Sequence, residues 1–434
     1  MRRRLAAFGL LLAALGAPAA RAQAPALPTR TLEQCIEIAL SRQPLLGAAN
    51  ANVEAGRQRV RQNIAGYLPQ ISAHASANEN MTSAGQKTGL PGQGNSQQYA
   101  YYATGFSLSQ VLFDFGKNLD NIQSAQALRD SLAADADTQR ETIIRDVKQA
   151  YFDLLAARRL RGVAEETLRS NQAQLDLARG RYDVGFATKL DVTRSEVLVA
   201  NTELDLLTAR NAVLVAEQTL RHAMGLTEPL DFELVDVLEA MPVEIPEDKA
   251  LGIALERRPE LASIRAQIRA AQETASARWK QHLPDVTGAA NYGWSGTSSP
   301  LKSSWNYGAL VSVPLFAGGL IDAQVGEARA TALSLGFQEE ALKQDVALEV
   351  RRATLDLARA REAIGVSERA REQARENLEL ADGRYQAGVG NVIELTDAQA
   401  QKASAEAEYV RSLYGYHTAL AELERAIGQE LPQS

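Results

Sequence analysis

The sequence predicts a mainly α protein with a small β part. Long antiparallel helical hairpins would form an α-barrel, and four strands per chain would contribute to a trimeric, twelve-stranded transmembrane β-barrel. Three observations predict this. The stretches between Pro91 and Pro229 and between Pro314 and Pro432 are proline-free and rich in Ala, Leu, Glu, Gln and Arg, as long helices require. A glycine-marked tip occurs twice at an offset of 203 positions, as Gly180-Arg181-Tyr182-Asp183-Val184-Gly185 and Gly383-Arg384-Tyr385-Gln386-Ala387-Gly388. Four segments of roughly ten residues alternate between larger and small or polar side chains, as strands of a membrane barrel do.

Taken in order, the chain of 434 residues opens with Arg2, Arg3 and Arg4, then the apolar run 5–15, then Ala20-Arg21-Ala22. This reads as a secretory signal over residues 1–22, too short to span a bilayer. Cleavage after Ala22 would remove four arginines and no acid, taking the net charge from −7 to −11. So acidic an exported protein is not expected to bind nucleic acid. After a short tail (23–30), the only cysteine, Cys35, reads as a small buried residue on a helix. No later stretch is apolar enough for a membrane helix, so any membrane insertion would be as a β-barrel.

A repeat covers almost everything that follows. Ile38 to Pro44 and Leu68-Pro69 match Ile253 to Pro259 and Leu283-Pro284 at an offset of 215. From Phe113 and Gly116 onward, the offset is 203. We therefore divide the chain into a first repeat (31–225), a linker (226–250), a second repeat (251–428) and a tail (429–434). The offset change puts extra residues near 86–97, a Gly-, Gln- and Ser-rich loop expected at the cell exterior.

The first repeat should begin with a helix over about residues 31–67. A β-hairpin follows over about 70–113, with its equivalent over about 285–316. Tyr102, Phe106, Tyr292, Trp294, Trp305 and Tyr307 would sit at a lipid interface. These strands alone fit two soluble hairpins equally well. The helices are better specified. Ile143, Val147, Ala150, Leu154 and Ala157 step as a heptad seam, repeated at Val346, Val350, Ala353, Leu357 and Ala360. The helix over about 116–182 would be roughly 100 Å long, matched by two shorter helices stacked end to end. The twin tips then lie far from the strands, and the linker at mid-height.

Four strands cannot close a barrel, and open edges are costly in lipid. If these strands are in a membrane, three chains would supply twelve, with their helices forming a hollow cylinder below.

With its signal peptide, twofold repeat, Leu-Pro before each hairpin, and Arg-Tyr-x-x-Gly followed by Leu190-Asp191-Val192 or Ile393-Glu394-Leu395, the chain resembles the TolC family of outer-membrane efflux proteins. The match runs from about Thr31 to Gly428. The resemblance implies a homotrimer in outer-membrane lipid with a periplasmic tunnel. It also implies service as the exit duct of a tripartite efflux or type I secretion system, with a periplasmic membrane-fusion adaptor and an inner-membrane pump as partners.

It further implies adaptor docking at Arg181, Tyr182, Val184, Gly185 and Phe186, and at Arg384, Tyr385, Ala387, Gly388 and Val389. The implied periplasmic gate falls on Asp191, Tyr385, Glu394 and Asp397. The family's latch arginine falls on Gly390, a departure that implies a looser gate. Glu394 and Asp397 would form an acidic ring favouring cations, or simply complement a helix start.

An enzyme is not expected. His74, His222, His282 and His417 are scattered, there is no metal-ligand spacing or nucleophile elbow, and no cofactor is implied. The alternative is a soluble periplasmic coiled-coil adaptor or structural rod, which would leave the paired strands unexplained.

Overall fold

The computed structural model describes residues 28–82, 97–236 and 245–431. The signal peptide and most of the Gly/Gln/Ser-rich loop lie outside the described residues. The chain order is β1 (Thr29–Arg30), α1 (Leu32–Arg42), α2 (Pro44–Ile64), β2 (Gln70–Thr82), β3 (Gln97–Phe113), α3 (Lys117–Asp183) and α4 (Lys189–Ala223). Then come β4 (Glu233–Leu234), α5 (Glu247–Arg257), α6 (Pro259–Trp279), β5 (Asp285–Gly296), β6 (Lys302–Ser312), α7 (Leu320–Gln386) and α8 (Val392–Ile427).

The expected single helix over 31–67 is instead two. Pro44 has no N–H to donate and occupies the first turn of α2, so the chain breaks at Gln43. Pro259 breaks the second repeat in the same way at Arg258. Thr31 starts α1 with a capping box to Gln34. The long helices are continuous: α3 and α7 have 67 residues each, or about 100 Å.

The helices form one layer. On the strand side, α3 lies between α2 and α6, with α7 beyond α6; toward the tips, α3 packs on α4 and α8, and α8 on α7. The heptad seams supply the core. Val147 and Leu154 are fully buried with Tyr151 and Cys35 in one cluster, and Val346 and Val350 with Leu261 and Leu423 in its counterpart. Burial pushes the Cys35 thiol pKa up to about 11, so the thiol stays protonated and unreactive.

A small parallel ribbon, β1 with β4, lies over the middle of α3, where Tyr151 Oη donates to Val235 O at 2.5 Å. Tyr414 Oη donates to Asp236 at 2.6 Å, and Arg159 pairs with the same carboxylate. This belt of short elements covers the junction where the hairpins meet the shorter helices.

The four longer strands form one antiparallel sheet in the order β2-β3-β5-β6. Registers Phe106↔Tyr292↔Trp305 and Ile71↔Leu108↔Ala290↔Tyr307 place these side chains on one face. The other face is small and polar, with Ser72 and Ser107 hydroxyls 2.6 Å apart and Asn291 bonded to Asn306 at 2.8 Å. Among the described residues, each outer strand, β2 and β6, is paired on one side only. All eleven residues of β6 are exposed. Among the described residues no helix is long and apolar enough to cross a membrane.

Asp114 fixes the turn from sheet to α3. Its buried carboxylate accepts from the N–H groups of Gly116 at 3.1 Å and Asn118 at 2.8 Å, and from Tyr67 Oη at 3.1 Å. The charge therefore sits at a helix N-terminus with three donors.

Candidate functional site: the paired helical tips

Each tip ends its long helix in the same way. Phe186 N donates back to Arg181 O at 2.8 Å and Gly185 N to Tyr182 O at 3.0 Å. At the other tip, Val389 N reaches Arg384 O and Gly388 N reaches Tyr385 O, both at 3.1 Å. These paired bonds satisfy the last helix carbonyls but require a left-handed residue, met by Gly185 at φ +83° and Gly388 at φ +75°. The bend leaves Val184, Phe186 and Val389 projecting, with Phe186 87% exposed.

The copies then diverge. Tyr182 is exposed, whereas Tyr385 is buried with Ala381, Leu395 and Ala398 between α7 and α8. Arg181 crosses from the first tip, its guanidinium carbon 4.3 Å from the Tyr385 ring centroid. This contact joins the α3/α4 hairpin to the α7/α8 hairpin. Tyr182 instead lies under Lys189 at 6.0 Å.

Three tip residues are held by contacts local to each tip. Asp191 is committed to its own helix start: its carboxylate accepts from Thr188 N at 2.9 Å and Thr188 Oγ1 at 2.8 Å. Those bonds, the backbone one foremost, hold its pKa below the usual carboxylate value. The space beside Gly390 is filled by close backbone. A Cβ there would lie 2.8 Å from Tyr385 N and 2.9 Å from the Arg384 carbonyl carbon. Gly390 N itself donates to Arg384 O at 2.9 Å, which draws the chain into that position. Third, Arg384 points along the tip to Glu394 at 3.5 Å, both half exposed.

Glu394 and Asp397 lie on the solvent side of the first turns of α8, while Leu395 and Ala398 face inward. Ala387 is exposed at the end of α7. The tips thus bring together Arg181, Arg384, Tyr385 and Glu394, but not Asp191 with Gly390. Sequence reading missed the pairing of Arg181 with Tyr385. Arg181 and Arg384 occupy equivalent repeat positions, and nothing in either copy distinguishes which one crosses.

The six aromatics of the strands, Tyr102, Phe106, Tyr292, Trp294, Trp305 and Tyr307, form one exposed patch on the apolar face of the sheet. Within it, Tyr292 meets Trp294 edge-on at 5.0 Å and Trp305 stacks on Tyr307 at 5.9 Å. Among the described residues, no group of three or more His, Cys, Asp or Glu is placed to hold a metal ion.

A family model described as outer membrane efflux protein matches residues 35–226 and 250–429. Among curated proteins, the chain is similar to nodulation protein T of Rhizobium leguminosarum bv. trifolii, 26% identical over 82% of this chain and 78% of that protein. It is also similar to outer membrane protein OprJ of Pseudomonas aeruginosa, 25% identical over 92% of this chain and 84% of that protein. Among solved structures, it is similar to the Campylobacter jejuni CmeC outer membrane channel, with a TM-score of 0.83 at 17% identity, covering 93% of this chain and 86% of that one.

Proposed function

The chain belongs to the outer membrane efflux protein family, and on that footing we propose that three copies of this outer-membrane channel form the exit duct of a tripartite efflux or type I secretion system. The observation that carries the trimer is the sheet with two unpaired edges. Strands of 13 and 11 residues carry backbone groups that lipid cannot satisfy. Pairing β2 of one copy with β6 of the next removes every edge. It gives twelve strands with the aromatic patch outward and the serine and asparagine face toward the bore.

The tips are then the periplasmic end. Phe186, Val184 and Val389 offer an apolar docking surface for a membrane-fusion adaptor, which would link the duct to an inner-membrane pump. In this reading Tyr385, held by Arg181, forms the gate with Glu394 and Asp397, and six carboxylates from three copies favour cations at the entrance. Asp191 supports the gate by fixing the start of α4.

The alternative, a soluble periplasmic adaptor or rod, would have to leave the aromatic face of the sheet in water. Fractionation tests the choice. A channel is recovered as a trimer from the outer membrane with adaptor bound, and a soluble periplasmic monomer would overturn the proposal.

A further inference from the structure

Charged side chains gather where the break before α6 meets the C-terminal end of α8. Arg258, 3% exposed, donates to Glu260 at 3.0 Å and to Glu349 at 2.5 Å. Arg425 reaches the same two carboxylates, Glu349 at 3.1 Å and Glu260 at 3.2 Å. Two cations and two anions therefore close a ring that ties the start of α6 to α7 and α8. The first repeat lacks it. The equivalent positions hold Gln43, Leu45, Asp146 and His222, and Gln43 donates instead to the carbonyls of His222 and Ala223 at 3.1 Å each.

Glu141, on α3, faces this ring across a cavity of about 230 Å³ that Arg425 also lines. The other charged groups around it are largely committed. Arg145 is held by Glu422 at 2.9 Å and Asp146 at 3.0 Å; Lys148 is held by Glu424 at 2.8 Å and Glu430 at 3.3 Å. Arg140 lines the cavity from the same helix as Glu141, and Asp137 stands one turn before it. Because the ring is already neutral, an ionised Glu141 adds a charge the ring does not balance, with the exposed Arg140 as the neighbouring cation on its own helix.

We propose that Glu141 makes this junction a proton-operated clasp between α3 and the joined ends of α6 and α8. With its proton, the Glu141 carboxyl sits beside Glu260 without repulsion. Without it, a third carboxylate competes for Arg258 and Arg425 and is pushed away by Glu260 and Asp137, so α3 loosens from the junction. Burial, then Glu260, raise the Glu141 pKa to about 7 against the smaller pull of Arg258 and Arg425. A carboxylic acid whose folded pKa is raised stabilises the fold below its unfolded pKa, and that stability is lost as pH rises through the folded value. The clasp is therefore tight in mild acid and loose in mild base.

The whole device lies within one chain, so it stands apart from the trimer and docking readings. Thermal unfolding of the purified full-length protein between about pH 5 and about pH 8.5 tests it. The wild type should lose several degrees of Tm as the pH rises. Glu141→Gln should hold the low-pH Tm throughout, and Asp137→Asn should move the step to higher ionisation, that is, to lower pH. Hydrogen-exchange protection of the α3 and α8 segments at the junction, taken relative to the base-catalysed intrinsic rate, should fall with pH in the wild type alone. A wild type with no pH step, or a step that survives Glu141→Gln, overturns the proposal.

Discussion

Arg181, at the end of α3, lies with its guanidinium carbon 4.3 Å from the centroid of the buried Tyr385 ring at the end of α7. The contact couples two hairpins that are otherwise copies of each other. It also supplies a positive charge at the tyrosine in a chain whose position 390 is glycine.

Removing that charge should loosen the tips. Arg181→Ala forfeits roughly 0.5–1 kcal/mol of cation–π attraction per chain. It should raise single-channel conductance in planar bilayers, with Arg181→Lys intermediate because an ammonium lacks the flat stacking surface. Unchanged conductance would place the latch elsewhere.

Gly390 should tolerate no side chain. Gly390→Ala forces its Cβ into the backbone of Arg384 and Tyr385, whereas a Cβ at Gly383 meets nothing within 4 Å. Limited proteolysis should therefore cut the second tip faster in Gly390→Ala than in Gly383→Ala. Gly390→Arg should likewise raise conductance through distortion instead of tightening the gate. Equal cleavage of the two alanine variants contradicts this account.

Phe186→Asp should abolish adaptor capture in pull-downs without changing the folding of the protein, since 87% of that residue is exposed. Retained capture would mean that the docking surface lies off the tips.

Asp114→Ala should destabilise the junction of sheet and α3 by roughly 1–2 kcal/mol, because a buried helix start loses its cap. The expected signature is a lower Tm with unchanged secondary structure. A Tm equal to wild type would show that the two N–H groups find other partners.

Much of this fold was legible because its signals are periodic. The seam of Val147 and Leu154 and that of Val346 and Val350 lie in the cores where heptad spacing put them. The alternation around Phe106 and Tyr292 chose the faces of the sheet before its register was known. What escaped was local. Pro44 was visible, but its effect depended on whether Gln43 would leave the helix. The roles of Asp191 and Gly390 depended on distances within one turn, where a threonine and a backbone carbonyl reach them first. The Arg258–Glu260–Arg425–Glu349 ring joins residues far apart in the chain, and of these only Glu349 has a carboxylate counterpart in the other repeat, Asp146, so neither periodicity nor repetition could reveal it.

The central claim is that the two free strand edges, β2 and β6, close between chains. Native mass spectrometry of the protein extracted from outer membranes tests it most directly. The account predicts a complex of three chains that falls to single chains only on heating. A folded single chain, or recovery of the protein from the soluble periplasm, would contradict it.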